Sequence, residues 1–123
     1  MSDWRNDLMI EYPDLFKYCS IDVGDGWENI IKSLCTMMTE YTHIVRSHND
    51  EAPTGPVHFR QIKEKFGTLR IYASNVSVAQ DAYISFAEEI SKHVCETCGN
   101  PGKIRSGGWI RTLCDKHANV QSE

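Results

Sequence analysis

Cys95-Glu-Thr-Cys-Gly-Asn-Pro-Gly102 and, with fifteen residues between Cys98 and Cys114, Cys114-Asp-Lys-His117 present two close pairs of thiolate and imidazole ligands. Side chains of this kind bind Zn2+ tetrahedrally, and two close pairs bridged by a short hairpin fill all four positions. Gly99 and Gly102 free the backbone to fold over a metal, and Pro101 stiffens the exit. A knuckle, a hairpin turning at Gly107-Gly108, and a ligand pair opening a last helical turn predict a treble-clef or ribbon-like module over residues 95–123, packed on a core of residues 1–94. With Cys95, Cys98, Cys114 and His117 all engaged, the expected cofactor is structural Zn2+, because catalytic zinc keeps one position for water. A nucleobase deaminase would also need an upstream His-x-Glu, and none of His43, His48, His58 or His93 has Glu two residues on. His93 lies two residues before Cys95 and is read as a solvated residue at a helix end rather than a competing ligand.

Working back from the knuckle, Ser77-x-x-Gln80 has capping-box form and opens a helix that runs into Cys95. Its expected apolar face is Val78, Ala82, Tyr83, Phe86, Ala87, Ile90 and Val94. Val57 to Ala73 reads as a hairpin turning at Lys65-Phe66-Gly67, with Gly67 taking the positive φ of the turn. Gln61 to Lys65 alternates imperfectly, so a helical turn is the alternative there. Ser47 to Pro56 is a loop by composition. Before it, Trp27, Ile30, Ile31, Leu34, Met38, Tyr41 and Val45 repeat at helical spacing, behind an Asp25-x-x-Glu28 capping box. Asp3 to Tyr18 is helical but broken near Pro13. The class is α+β, helices packed on a small antiparallel hairpin, with Trp27, Leu34, Met38 and Tyr41 expected to face Phe86 and Ile90.

Hydrophobic residues make up 41% of the 123, enough for a packed core and too many for a disordered chain. No apolar run approaches the roughly 20 residues that span a bilayer, and Met-Ser-Asp-Trp-Arg does not read as a signal peptide. With three of five cysteines in ligand spacing, reduced thiols in a cytoplasm are expected, and Cys19 and Cys35 read as buried bystanders.

The net charge of −4 is unevenly spread. Residues 1–56 hold ten Asp/Glu against four Lys/Arg, whereas residues 57–76 hold Arg60, Lys63, Lys65 and Arg70 against Glu64 alone. A basic island in an acidic chain argues against duplex binding and suits a small anionic ligand or an acidic partner surface. The island is interleaved with Phe59, Phe66 and Tyr72, and the zinc hairpin adds Arg105, Trp109 and Arg111. Arg105 and Arg111 flank the Gly-Gly turn and are expected side by side. Cations pair with phosphate and aromatic faces stack on bases, which makes Arg60, Lys63, Lys65, Phe66, Arg70, Tyr72, Trp109 and Arg111 the candidate ligand-binding residues. An ordinary strand pair with charges outward fits the same pattern. No nucleophile–base set, phosphate loop or carboxylate pair points to an enzyme.

Gln61-Ile-Lys-Glu-Lys-Phe-Gly-Thr-Leu-Arg-Ile-Tyr72, the Cys95–Gly102 run and Gly108-Trp-Ile-Arg-Thr-Leu-Cys-Asp-Lys-His117 together resemble a group of small, functionally unassigned proteins of bacteria and their phages. The resemblance spans the chain after residue 57, with Pro13-Asp-Leu-Phe16 included. It implies one architecture rather than an isolated zinc finger, and supplies no catalytic residues. A phage origin implies an accessory role in the host cytoplasm, such as host takeover or counter-defence. The expected activity is non-enzymatic binding or sequestration of a small phosphorylated, nucleotide-type molecule. The alternatives are a module that binds an acidic host protein and a nucleic-acid-binding regulator. Oligomeric state is not legible in the sequence.

Overall fold

A computed structural model describes residues 3–48 and 56–121, with side chains for 3–41 and 56–119. Residues 49–55 of the expected loop, and the side chain of Val45, lie outside the described residues. Helix α1 (Trp4–Glu11) starts at Asp3, whose carboxylate accepts the Arg5 backbone N–H at 2.8 Å, and stops at Tyr12, before Pro13. A short strand, β1 (Ile21–Asp22), and one 3-10 turn (Asp25–Trp27) lead into α2 (Glu28–His48). Strands β2 (His58–Lys65) and β3 (Thr68–Ser74) form the hairpin, α3 (Val78–Ser91) follows, and the chain closes with β4 (Lys103–Arg105), β5 (Arg111–Leu113) and α4 (Asp115–Gln121). The class is α+β. Among the described residues no helix is long and apolar enough to cross a membrane.

Gln61 to Lys65 is strand, which closes the helical alternative. The turn holds Phe66 at φ 53° and Gly67 at φ 83°, so both central residues take the positive φ of the primed turn that matches strand twist. Lys65 pairs with Thr68, Lys63 with Arg70, Ile62 with Ile71 and Gln61 with Tyr72; Phe59 then pairs with Ala73, leaving Arg60 in a bulge. Strand β1 adds to β2 in parallel, Ile21 beside Ile62 and Asp22 beside Lys63. The sheet is therefore mixed, not purely antiparallel. No periodicity betrays a two-residue strand, so β1 is invisible in the sequence.

Alternation sorts the sheet into two faces. Phe59, Ile62, Leu69 and Ile71 are buried and meet Trp27, Ile31, Leu34, Cys35 and Met38 of the α2 segment, with Leu8, Leu15, Phe16, Val23 and Ile84 completing the core. Each large side chain buried there is worth about 1.5–3 kcal/mol of transfer free energy. The opposite face carries Gln61, Lys63, Lys65, Arg70 and Tyr72.

Two helix expectations fail, each because of a partner distant in sequence. The buried residues of α3 are Gln80, Ile84, Ala87 and Ser91, while Val78 and Phe86 are exposed at 91% and 67%; Phe86 does not enter the core. The helix is rotated because it covers the open edge of β3. Ser91 Oγ accepts the Leu69 N–H at 3.0 Å and Glu88 Oε2 accepts the Ile71 N–H at 2.9 Å, satisfying donors an edge strand leaves unpaired. The Ser77–Gln80 capping box is present, and Gln80 also donates to the Met38 carbonyl at 3.2 Å. The Asp25-x-x-Glu28 box does not form. Asp25 instead accepts Trp4 Nε1 at 3.0 Å and pairs with Arg5 at 2.9 Å, and these two partners hold its carboxyl below the usual range. Arg5 also donates to the Val23 carbonyl at 2.6 Å, so α1 is pinned to the loop before α2.

Candidate metal centre and the open sheet face

The knuckle is built by its own backbone. Cys95 N–H donates to Asn100 O at 2.8 Å, Gly99 N–H to Cys95 O at 2.9 Å and Gly102 N–H to His93 O at 2.9 Å, while Gly99 takes φ 84°. Strands β4 and β5 pair from Lys103–Leu113 to Arg105–Arg111, and α4 starts between Cys114 and His117, bringing the second ligand pair over the first. The ligand atoms of Cys95, Cys98, Cys114 and His117 all lie within 4.8 Å of one another. Cys98 Sγ stands 3.7 Å from Cys114 Sγ, Cys95 Sγ 3.7 Å from His117 Nδ1, and Cys114 Sγ 3.1 Å from the same nitrogen. Sulfurs about 2.3 Å from a common tetrahedral centre would stand about 3.8 Å apart, so the geometry fits a metal ion of zinc's size. Burial pushes the Cys95 thiol up, but the backbone N–H groups of Cys114, Cys98 and Thr97 outweigh it and bring the thiol down to about 6, which favours the ligating thiolate. His93 is exposed, 3.7 Å from Glu89 and outside the cluster.

The knuckle sits on the 3-10 turn that leads into α2, where Gly26 meets it backbone to backbone. Gly26 N–H donates to Glu96 O at 2.7 Å, Gly24 N–H to Glu96 Oε2 at 3.0 Å, and Trp27 Nε1 to Val94 O at 2.9 Å. Thr112, fully buried, donates its hydroxyl to Gly67 O at 2.6 Å and ties β5 to the hairpin turn. The sequence reading missed these contacts. The signal available was Gly24-Asp-Gly26 ahead of a tryptophan, two glycines one residue apart where a helix begins.

The basic residues share the uncovered face without gathering in one pocket. Arg60 and Lys63 line a hollow of about 250 Å3 with Tyr18, Ser20 and Asp22, and Arg60 lines a second with Gln61, Tyr72 and Asp81. Arg70 is turned toward α3: its Nε donates to Thr68 Oγ1 at 3.0 Å, in a hollow shared with Glu88, Glu89 and Lys92. Among the described residues Arg60, Lys63 and Lys65 form no ion pair. Phe66 is 65% exposed with Lys65 Nζ 5.7 Å from its ring centroid, and holding a non-glycine residue at positive φ costs on the order of 1–3 kcal/mol. Trp109 is 81% exposed at the tip of the zinc hairpin. Arg105 and Arg111 are register partners, yet their guanidinium groups part: Arg105 binds Leu113 O and Asp115, and Arg111 lies 3.8 Å from Glu96.

A second feature went unread in the sequence. Ile30, Leu34 and Met37 of α2 and Tyr83, Phe86 and Ile90 of α3 line an apolar groove of about 500 Å3. Compared with protein family models, curated proteins and solved structures, the chain matches none of them.

Proposed function

We propose that this chain is a non-enzymatic, zinc-stapled binding protein that takes a phosphorylated, nucleotide-type ligand on the open face of its sheet. The observation that carries the reading is Arg60, set by the bulge between two hollows, with Lys63 in one, Tyr72 in the other and no ion pair among the described residues. Bulges re-aim side chains in this way beside binding sites. Arg60 and Lys63 suit phosphate, the half-exposed Tyr72 ring suits a base, and Asp22 and Asp81 offer acceptors for sugar hydroxyls or amino groups. Zinc would be structural here: Cys95, Cys98, Cys114 and His117 leave no position for water, and the β4–β5 hairpin between the ligand pairs supports the sheet turn through Thr112. The resemblance to small bacterial and phage proteins supports an accessory role, such as host takeover or counter-defence, in a bacterial cytoplasm.

Calorimetry against a panel of mononucleotides and signalling dinucleotides tests the reading. Arg60→Ala and Lys63→Ala should each weaken the best hit about tenfold or more, the loss of a charge-assisted hydrogen bond. Melting temperature should hardly move, because neither side chain forms an ion pair among the described residues. No hit, or equal affinities in all three proteins, would defeat it. The apolar groove between α2 and α3 favours a second reading, a protein-interaction module, to which such a failure would turn attention.

A further inference from the structure

The candidate face is longer than one nucleotide. From Arg60 to Lys65 the strand advances roughly 15 Å at about 3.3 Å per residue, with cations at both ends and Lys63 between. The face does not stop at the turn. An added Cβ on Gly67 would stand 3.2 Å from Arg111 Cα and 3.3 Å from Ile110 Cγ2, so the turn seats against the zinc hairpin one residue from Trp109. Exposed rings follow this course: Tyr72 at 50%, Phe66 at 65% and Trp109 at 81%.

Two observations set Phe66 and Trp109 apart from the packing of the core. A two-residue primed turn accepts asparagine or glycine freely, yet this one holds an exposed phenyl ring at φ 53°. Strain of this kind clusters at ligand-binding sites, and here little burial of the ring offsets it. Trp109 follows Gly107 and Gly108, at φ 102° and 130°, on a tip that contributes no side chain to either apolar cluster.

We propose that the occupant of this face is a single-stranded nucleic acid, its backbone tracking Arg60, Lys63 and Lys65 and its bases stacking on Tyr72, Phe66 and Trp109. The proposal rests on the nucleotide reading above and extends it from one nucleotide to a strand. Cations without an ion pair among the described residues supply the charge complementarity, and a strand with unstacked bases offers a ring face to each of the three aromatic residues where one nucleotide offers only one. A duplex would meet the acidic remainder of the chain without that gain.

Fluorescence anisotropy with labelled DNA and RNA oligonucleotides of about four, eight and twelve residues tests it on the zinc-loaded protein, beside mononucleotide calorimetry. Affinity should rise with length and fall with salt for DNA, RNA or both. Phe66→Asn should keep or raise the melting temperature, since asparagine suits the turn, while weakening the longest oligonucleotide about fivefold or more. Trp109→Ala should do the same, and both losses should be larger for the longest strand than for a mononucleotide. A mononucleotide bound as tightly as the longest strand would overturn the proposal and leave the nucleotide site standing. Strand binding indifferent to Phe66→Asn and Trp109→Ala would overturn it too. If wild type binds neither nucleotide nor strand, both readings fall.

Discussion

Gly26 lies directly against the Cys95 carbonyl: a Cβ on Gly26 would stand 1.9 Å from that oxygen and 2.6 Å from Gly99 N. Both neighbours are backbone, so no side-chain rearrangement relieves the clash. The contact joins the 3-10 turn ahead of α2 to the first of the candidate metal ligands, so a disturbance of one reaches the other.

Gly26→Ala should therefore destabilise the fold by about 2–3 kcal/mol or more, beyond ordinary overpacking because backbone must move. It should also weaken metal retention. Denaturant unfolding and competition with a chromophoric chelator measure the two effects. Wild-type values in both would mean the two backbones do not meet.

Purified protein should carry one zinc per chain, and chelation should lower the melting temperature of the whole domain in a single transition, because metal binding is folding free energy here. Cys98→Ser should lose the metal by elemental analysis. A chelated protein with unchanged melting would remove zinc from the account.

Leu34→Ala and Phe86→Ala separate the observed core from the one periodicity suggested. Leu34 is 3% exposed and its truncation should cost about 2–5 kcal/mol. Phe86, at 67% exposed, should fall within about 0.5 kcal/mol of wild type. Comparable losses at both sites would restore the original helix face.

Ser91→Ala removes the acceptor of the Leu69 N–H from a fully buried position. An unsatisfied buried donor costs about 1–3 kcal/mol, and hydrogen exchange at the Leu69 amide should quicken. Exchange as slow as in wild type would show that α3 does not cap the edge of β3.

Cys35 is fully buried, and desolvation, helped by the nearby Glu11 carboxylate, pushes its thiol up to about 12. The native protein should protect it from thiol reagents until unfolding. A raised pKa means the stability carried by the neutral thiol is intact below about pH 9 and is lost as pH rises toward about 12. Cys35→Ala should flatten that alkaline decline; rapid labelling in native buffer would contradict the burial.

Much of this was legible because the signals are local. Ligand spacing at Cys95, Cys98, Cys114 and His117, the Ser77–Gln80 cap, the stop at Pro13 and the turn at Phe66-Gly67 each depend on residues a few positions apart. Charge clustering named the cations of the hairpin, but the register and the Arg60 bulge that put Gln61, Lys63, Lys65 and Tyr72 on one face came from the structure. The rest required partners far along the chain. Strand β1 exists only because Ile21 meets Ile62, and the α3 face is set by the Leu69 and Ile71 amides, not by its own apolar residues. Asp25 left its capping role for Trp4 and Arg5. Periodicity reports how much apolar surface a helix has; which side is buried depends on the donors and acceptors of the neighbour it covers, and that only the tertiary structure decides.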